Sequence, residues 1–245
     1  MLSRARVEGL NGDALLDIVC QCGAALGDAE VLKQALGVVA DVARKADALE
    51  RWHAYAEFCL LHCVHDGDND NDGAGDGEVV KCAADALAVL AAGAQGLTPE
   101  LARRVFVVVS RIFIAQERGE VWALGVDAAL LAGVAAQRYP SLAVVPAECL
   151  RAWTRALIKL DESPDMVSRA YAGWLRVMTA NLASAVEHTP LVVKAALQFR
   201  ASSELDGDLA ALVQGMRRAN PGEFAKRFAL LSADMQRAAT ARFSL

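Results

Sequence analysis

The sequence predicts an all-α fold of stacked antiparallel helix pairs, and three observations carry that prediction. Ala, Leu and Val dominate a chain of 245 residues that is 55% hydrophobic but only 6% aromatic, a supply suited to helices packed at close range rather than to a sandwich or barrel. Apolar residues recur at three- and four-residue spacing along almost the whole length. Four times a polar residue followed by proline restarts the pattern, at Thr98-Pro99, Ser163-Pro164, Thr189-Pro190 and Asn220-Pro221, the expected start of a helix whose first turn tolerates a missing N–H. The alternative is a single globular multi-helix domain with the same helices at uneven crossing angles.

The first element opens at Asn11 or Asp13 and places Leu15, Leu16, Val19, Cys22 and Leu26 near one face. Gly27-Asp28 restarts the pattern through Leu32, Leu36, Val39 and Val42. A third helix, from about Asp47, puts Trp52, Ala56, Cys59, Leu60 and Cys63 on its buried stripe. An Asp/Asn/Gly run follows, and residues 66–77 read as a flexible acidic insertion in one helical-repeat domain spanning 1–245. Helix resumes at Val79 and closes near Gly93 or Gly96. From Thr98 to Glu117 the run VFVVVSRIFI could be a strand, but the cap signals and the length favour a helix, apolar on nearly all sides, with Arg104, Arg111 and Arg118 as one polar stripe. Val105, Val108 and Ile112 are its expected buried residues. Further helices are expected over 119–139, 145–160, 163–186, 189–201, 206–219, 221–231 and 232–242. The apolar run 121–136 carries Asp127 and falls short of a membrane span, so it reads as a buried helix.

The stretches LTPELARRVFVVVSRIF and SPDMVSRAYAGWLRVMTANL, with helix pairs recurring at about 40 residues, resemble HEAT/armadillo-type α-solenoids such as the importin-β-like helical repeat proteins. That resemblance is one of pattern, covers most of the chain, and implies a solenoid architecture and a general protein-binding role. It carries over no functional residue.

Charge is uneven. Residues 1–80 hold 6 Lys and Arg against 15 Asp and Glu, whereas the last hundred hold 13 against 10, within a total of −5. Such a balance disfavours nucleic acid over the whole surface, but leaves the C-terminal region able to attract an acidic partner. There, Arg151, Arg155 and Lys159 succeed one another at four-residue spacing on a helix that buries Leu150, Trp153 and Leu157, and form the expected partner-binding row. Six cysteines in this length imply no disulfide framework and point to a reducing compartment, the cytoplasm or alternatively the nucleus. The start MLSRARVEGLNGD lacks the apolar core of a signal peptide.

Two segments invite a metal. Asp68, Asp70, Asp72 and Gly73 match the opening of an EF-hand loop and Asp76 could continue it, but the twelfth position is Val79 and Glu78 falls one residue early, so any calcium binding is expected to be weak. Cys59, His62, Cys63 and Asp66 share one helix face, yet the cysteines also continue an apolar stripe, and no metal or cofactor is assigned. No G-x-S-x-G, P-loop, dinucleotide fingerprint or H-E-x-x-H occurs, and no enzymatic activity is expected. The sequence therefore reads as a scaffold or adaptor, free-standing or as a subunit of a larger assembly. A calcium-responsive regulator and a helical-repeat nucleic-acid-binding protein are the alternatives.

Overall fold

The computed structural model describes residues 12–26, 28–45, 50–63, 74–93, 96–118, 124–143 and 145–245. Among them are thirteen α-helices, two 3-10 turns and no strand, so the fold is all-α. No described helix is long and apolar enough to cross a membrane. The chain clusters into two compact units, one ending at Thr98 and the other running Pro99–Leu245, and the division falls inside the Thr98-Pro99-Glu100 helix opening.

The first unit contains α1 (Gly12–Leu26), α2 (Ala29–Lys45), α3 (Trp52–His62) and α4 (Ala74–Ala92). Asp28 starts α2 by accepting from the amides of Glu30 at 2.8 Å and Val31 at 3.2 Å, which satisfies donors that have no partner inside the helix. Buried Ala35, Leu36, Val39, Ala40 and Ala43 then form its inward stripe, and α2 packs chiefly on α4. The start of α3 is fixed from a distance. The Asp13 carboxylate on α1 accepts from the amides of Glu50 and Arg51 at 2.9 and 3.1 Å and from the Tyr55 hydroxyl at 2.9 Å. Burial raises the Asp13 pKa, but these three donors and the Arg51 charge outweigh it and hold the carboxyl below its usual 3.8. Along α1 only part of the expected face is inward: Leu16 is fully buried, whereas Cys22 is exposed. Helix α4 begins at Ala74 rather than Val79; residues 66–73 of the acidic insertion lie outside the described residues.

The second unit contains α5 (Pro99–Glu117), α6 (Leu124–Arg138), α7 (Ala147–Leu157), α8 (Pro164–Ala180), α9 (Leu182–Glu187), α10 (Thr189–Gln198), α11 (Asp206–Ala219), α12 (Pro221–Phe228) and α13 (Ala233–Phe243). Helix α6 is buried on nearly every side from Ala128 to Ala136, as its composition predicts, and its most extensive partner is α8. Residues 163–186 were expected as one helix but break at Asn181. Its side-chain Nδ2 donates to the Val177 carbonyl at 2.8 Å and its amide turns to Met178, so the side chain competes with the helical ladder there. Of the polar-proline openings, Asn220 accepts from the Glu223 amide at 3.1 Å, whereas Ser163 makes no side-chain cap and the Thr189 hydroxyl donates back to Val186.

Aromatic residues concentrate in this unit's core. Trp153 stacks on Phe113 with centroids 6.1 Å apart, and its indole N–H donates to the Ala129 carbonyl at 3.2 Å. Trp174 donates to the Thr154 hydroxyl, which itself donates to Leu150, so every polar atom of that buried chain is used. At the far end, Arg242 on α13 donates to the Ala196, Leu197 and Phe199 carbonyls that close α10.

Candidate interaction surface

Helix α5 positions the surface. Leu101, Ala102, Val105, Phe106, Val108, Val109 and Phe113 face inward, Ile112 is partly buried, and Arg103, Arg104, Val107, Arg111 and Arg118 are exposed. The apolar face is wide because apolar residues, several of them β-branched or aromatic, fill most positions between the arginines.

Alongside it, α7 buries Leu150, Trp153 and Leu157 and turns Arg151 outward. Of the three cations expected as one exposed row, Arg151 and Lys159 are exposed and Arg155 is partly buried, and the two arginines meet a carboxylate. Arg151 donates through Nε to Glu117 Oε2 at 2.9 Å and also through Nη2, while Arg155 Nη1 stands 3.7 Å from Glu117 Oε1. Lys159 is exposed in the turn after the last helical residue, its amide bonded to Ala156 at 2.9 Å. Two of the three charges are thus turned onto a carboxylate that is only 18% exposed. No local spacing connects residues 34 positions apart, which is why the sequence concealed the pairing. Hydrogen bonding and the charge of Glu117 raise the Arg151 pKa further.

Arg151 stands between two clefts. One, of about 420 Å³, is lined by Ile114, Glu117, Arg118, Glu148, Arg151 and His188. The other, of about 640 Å³, includes Arg151, Glu187, His188, Asn220, Glu223 and Arg227. His188 lies between α9 and α10, and burial lowers its pKa, with Glu187 and Glu117 opposing that and Arg151 and Arg227 reinforcing it. On the far wall, Arg227 Nε donates to Glu223 at 2.6 Å and holds that carboxyl below its usual range. Two arginine–glutamate pairs therefore bracket a half-buried neutral imidazole. The arrangement provides charges of both signs in an accessible recess, which suits recognition of a polar segment.

A third cleft, of about 440 Å³ and mostly apolar, lies between α5 and the 3-10 turn Pro140–Leu142, with Phe106, Val107, Leu142 and Pro146 in its walls. The Ser110 hydroxyl in its lining is buried without a hydrogen-bond partner.

The metal candidates divide. Cys59 on α3 and Cys63 at its C-terminal cap are buried, and desolvation pushes the Cys63 thiol up to about 12 and Cys59 well above its usual value. Both thiols are therefore protonated at neutral pH and sit among the apolar residues of that stripe, Trp52, Ala56 and Leu60. His62 packs edge-on against Phe58 at 4.8 Å, and Asp66 lies outside the described residues, as do Asp68, Asp70 and Asp72. Asp76 and Glu78 fall within α4. Among the described residues no three His, Cys, Asp or Glu side chains are grouped to hold a metal ion.

No known protein family, no curated protein and no solved structure matches this chain.

Proposed function

We propose that the chain is a non-enzymatic protein-binding module of the scaffold or adaptor type, built from repeat-like helix pairs, and that the charged recess around Arg151 and His188 receives a polar segment of another protein. The observation that carries this reading is the meeting of two clefts at Arg151 and His188, with an arginine–glutamate pair on each side. An incoming carboxylate can take over an arginine from Glu117 or Glu223, and a cation can take over the glutamate. A segment that brings both signs together exchanges ion pairs without stranding a charge, whereas a carboxylate alone that took Arg151 would leave the largely buried Glu117 unpaired. Helix order supports the repeat-like reading, because α2 with α4, α5 with α7 and α6 with α8 pack as next-but-one neighbours, as layers of a stacked array do. The cysteine usage supports a reducing compartment, cytoplasmic or nuclear.

The test is quantitative affinity capture from source-cell lysate with the native chain, with Arg227→Ala and with His188→Ala, after melting curves have shown the variants folded. Loss of the same captured proteins in both variants supports the recess as the site. A captured set that is unchanged in both removes it.

A further inference from the structure

The outward strip of α5 is neither a solvated polar face nor a covered apolar one. Arg103, Val107, Arg111, Ile114 and Arg118 follow one another at spacings of four, four, three and four, so they stand in line along one side of the helix. Val107 is 55% exposed in the middle of that line, so much of its apolar surface stands in water. Next to it opens the apolar cleft of Phe106, Leu142 and Pro146, where the Ser110 hydroxyl has no partner. One turn before Arg118, Ile114 edges the cleft that it shares with Glu117, Glu148 and Arg151. The only acid in the first turn of α5, Glu100, is 3.2 Å from Arg103, and Glu117 is engaged by α7. Arginine thus dominates the exposed charge of the strip.

We propose that this strip docks an acidic amphipathic helix of a partner protein. The inference rests on the reading of the chain as a protein-binding module and specifies a partner class for it. From Arg103 to Arg118 the strip is about 22 Å long, the length of a helix of about 16 residues. Val107 and Ile114 are two turns apart, so the partner presents apolar side chains seven residues apart, one into each cleft, with Asp or Glu beside the arginines. Charge complementarity argues for this occupant over a nucleic acid: phosphate tracking uses the cations alone and leaves the exposed valine and the apolar cleft uncovered, in a chain whose total charge is −5.

The test is selection of a displayed library of helix-forming peptides of about 16 residues against the full chain, followed by affinity measurement on Val107→Asp and on the double variant Arg111→Glu/Arg118→Glu. These positions are exposed, so both variants should fold, and a melting curve checks that they do. The expected pool is enriched in Asp and Glu with apolar residues seven apart, loses at least about tenfold in affinity on either variant, and weakens as salt rises. A pool without acidic enrichment, or one indifferent to both variants, overturns the proposal. So does a homopolymeric RNA that binds in an Arg111- and Arg118-dependent way and displaces the peptides. Peptides that ignore α5 but are lost on Arg227→Ala leave the protein-binding reading standing and sink this inference alone; so does a library that yields no binder, since the capture experiment decides the recess separately.

Discussion

Gly133 on α6 and Gly173 on α8 bring the two helices into backbone contact. A methyl group built on Gly173 would be driven into the Gly133 carbonyl oxygen and lie 2.6 Å from the Gln137 amide nitrogen, and one on Gly133 would lie 2.6 Å from the Ala170 Cα. Neither obstacle is the end of a flexible side chain, so relief requires the helices to separate along the most extensive pairing in the unit. Gly173→Ala should therefore cost about 3 kcal/mol despite alanine's better helix propensity, and lower the melting temperature of this unit by roughly 10 °C. Gly37, exposed in the middle of α2 with open space around it, is the control: Gly37→Ala should stabilise by about 0.5 to 1 kcal/mol. Equal effects at the two positions would contradict the close crossing.

Val105 and Val107 test the register of α5. Val105 is fully buried and Val107 is 55% exposed, two residues away. Val105→Asp places an unpaired carboxylate in the core and should leave little folded protein, since the penalty is a large share of a stability of about 5 to 15 kcal/mol. Val107→Asp should melt within about 0.5 kcal/mol of the native chain. Circular dichroism melts of the two variants decide the matter, and a tolerated Val105→Asp would mean the helix is rotated.

The parts of this fold that local chemistry determines were legible in the sequence. The boundaries of α11 coincide with those expected, and α5 reads as a helix because Pro99 and Glu100 open it and its length exceeds any ordinary strand. Trp52, Ala56, Cys59, Leu60 and Cys63 are all buried as the three- and four-residue spacing requires. What escaped depends on distant partners. Nothing near Glu117 announces Arg151, nothing near Asp13 announces the start of α3, and Gly133 looks like one small residue among many alanines until α8 lies across it. Asn181 reads as helix because an asparagine inside an apolar helical run signals a break only through the bond its side chain makes. The candidate surface was therefore half legible: its arginines stood out, but their engagement by Glu117 and the clefts beside them are properties of packing.

His188 gives the second unit a pH dependence. Burial lowers its pKa below 6.5, with Arg151 and Arg227 acting in the same sense. Above pH 6.5 the imidazole is neutral in both folded and unfolded chains and contributes no difference. As pH falls through 6.5 the unfolded chain takes up a proton that the folded chain still refuses, so stability declines until the folded pKa is passed. His62, also lowered by burial, does the same in the first unit. In a His62→Gln background, melting temperature should fall between pH 7.5 and 5, and adding His188→Gln should flatten that fall. An unchanged slope would show that His188 is solvated in both states.

The pair Glu117 and Arg151 should respond unequally to the loss of each partner. Glu117 is 18% exposed, whereas Arg151 is 47% exposed. Arg151→Gln removes both hydrogen bonds to Oε2 and leaves a largely buried carboxylate with only the more distant Arg155, at 3.7 Å. Glu117→Gln leaves two arginines that can turn to water. Stranding the buried partner is the costlier change, so Arg151→Gln should lose about 1 to 2 kcal/mol and Glu117→Gln roughly half that, with a coupling energy near 1 kcal/mol in the double-mutant cycle. Reversing Arg151, Arg155 and Lys159 together to Glu does more than remove a surface row, because it brings new carboxylates against Glu117 and should destabilise the unit beyond either single change. Denaturant melts of the four chains of the cycle measure these terms. A larger loss from Glu117→Gln than from Arg151→Gln would mean that the carboxylate is solvated and that burial does not set the cost of this pair.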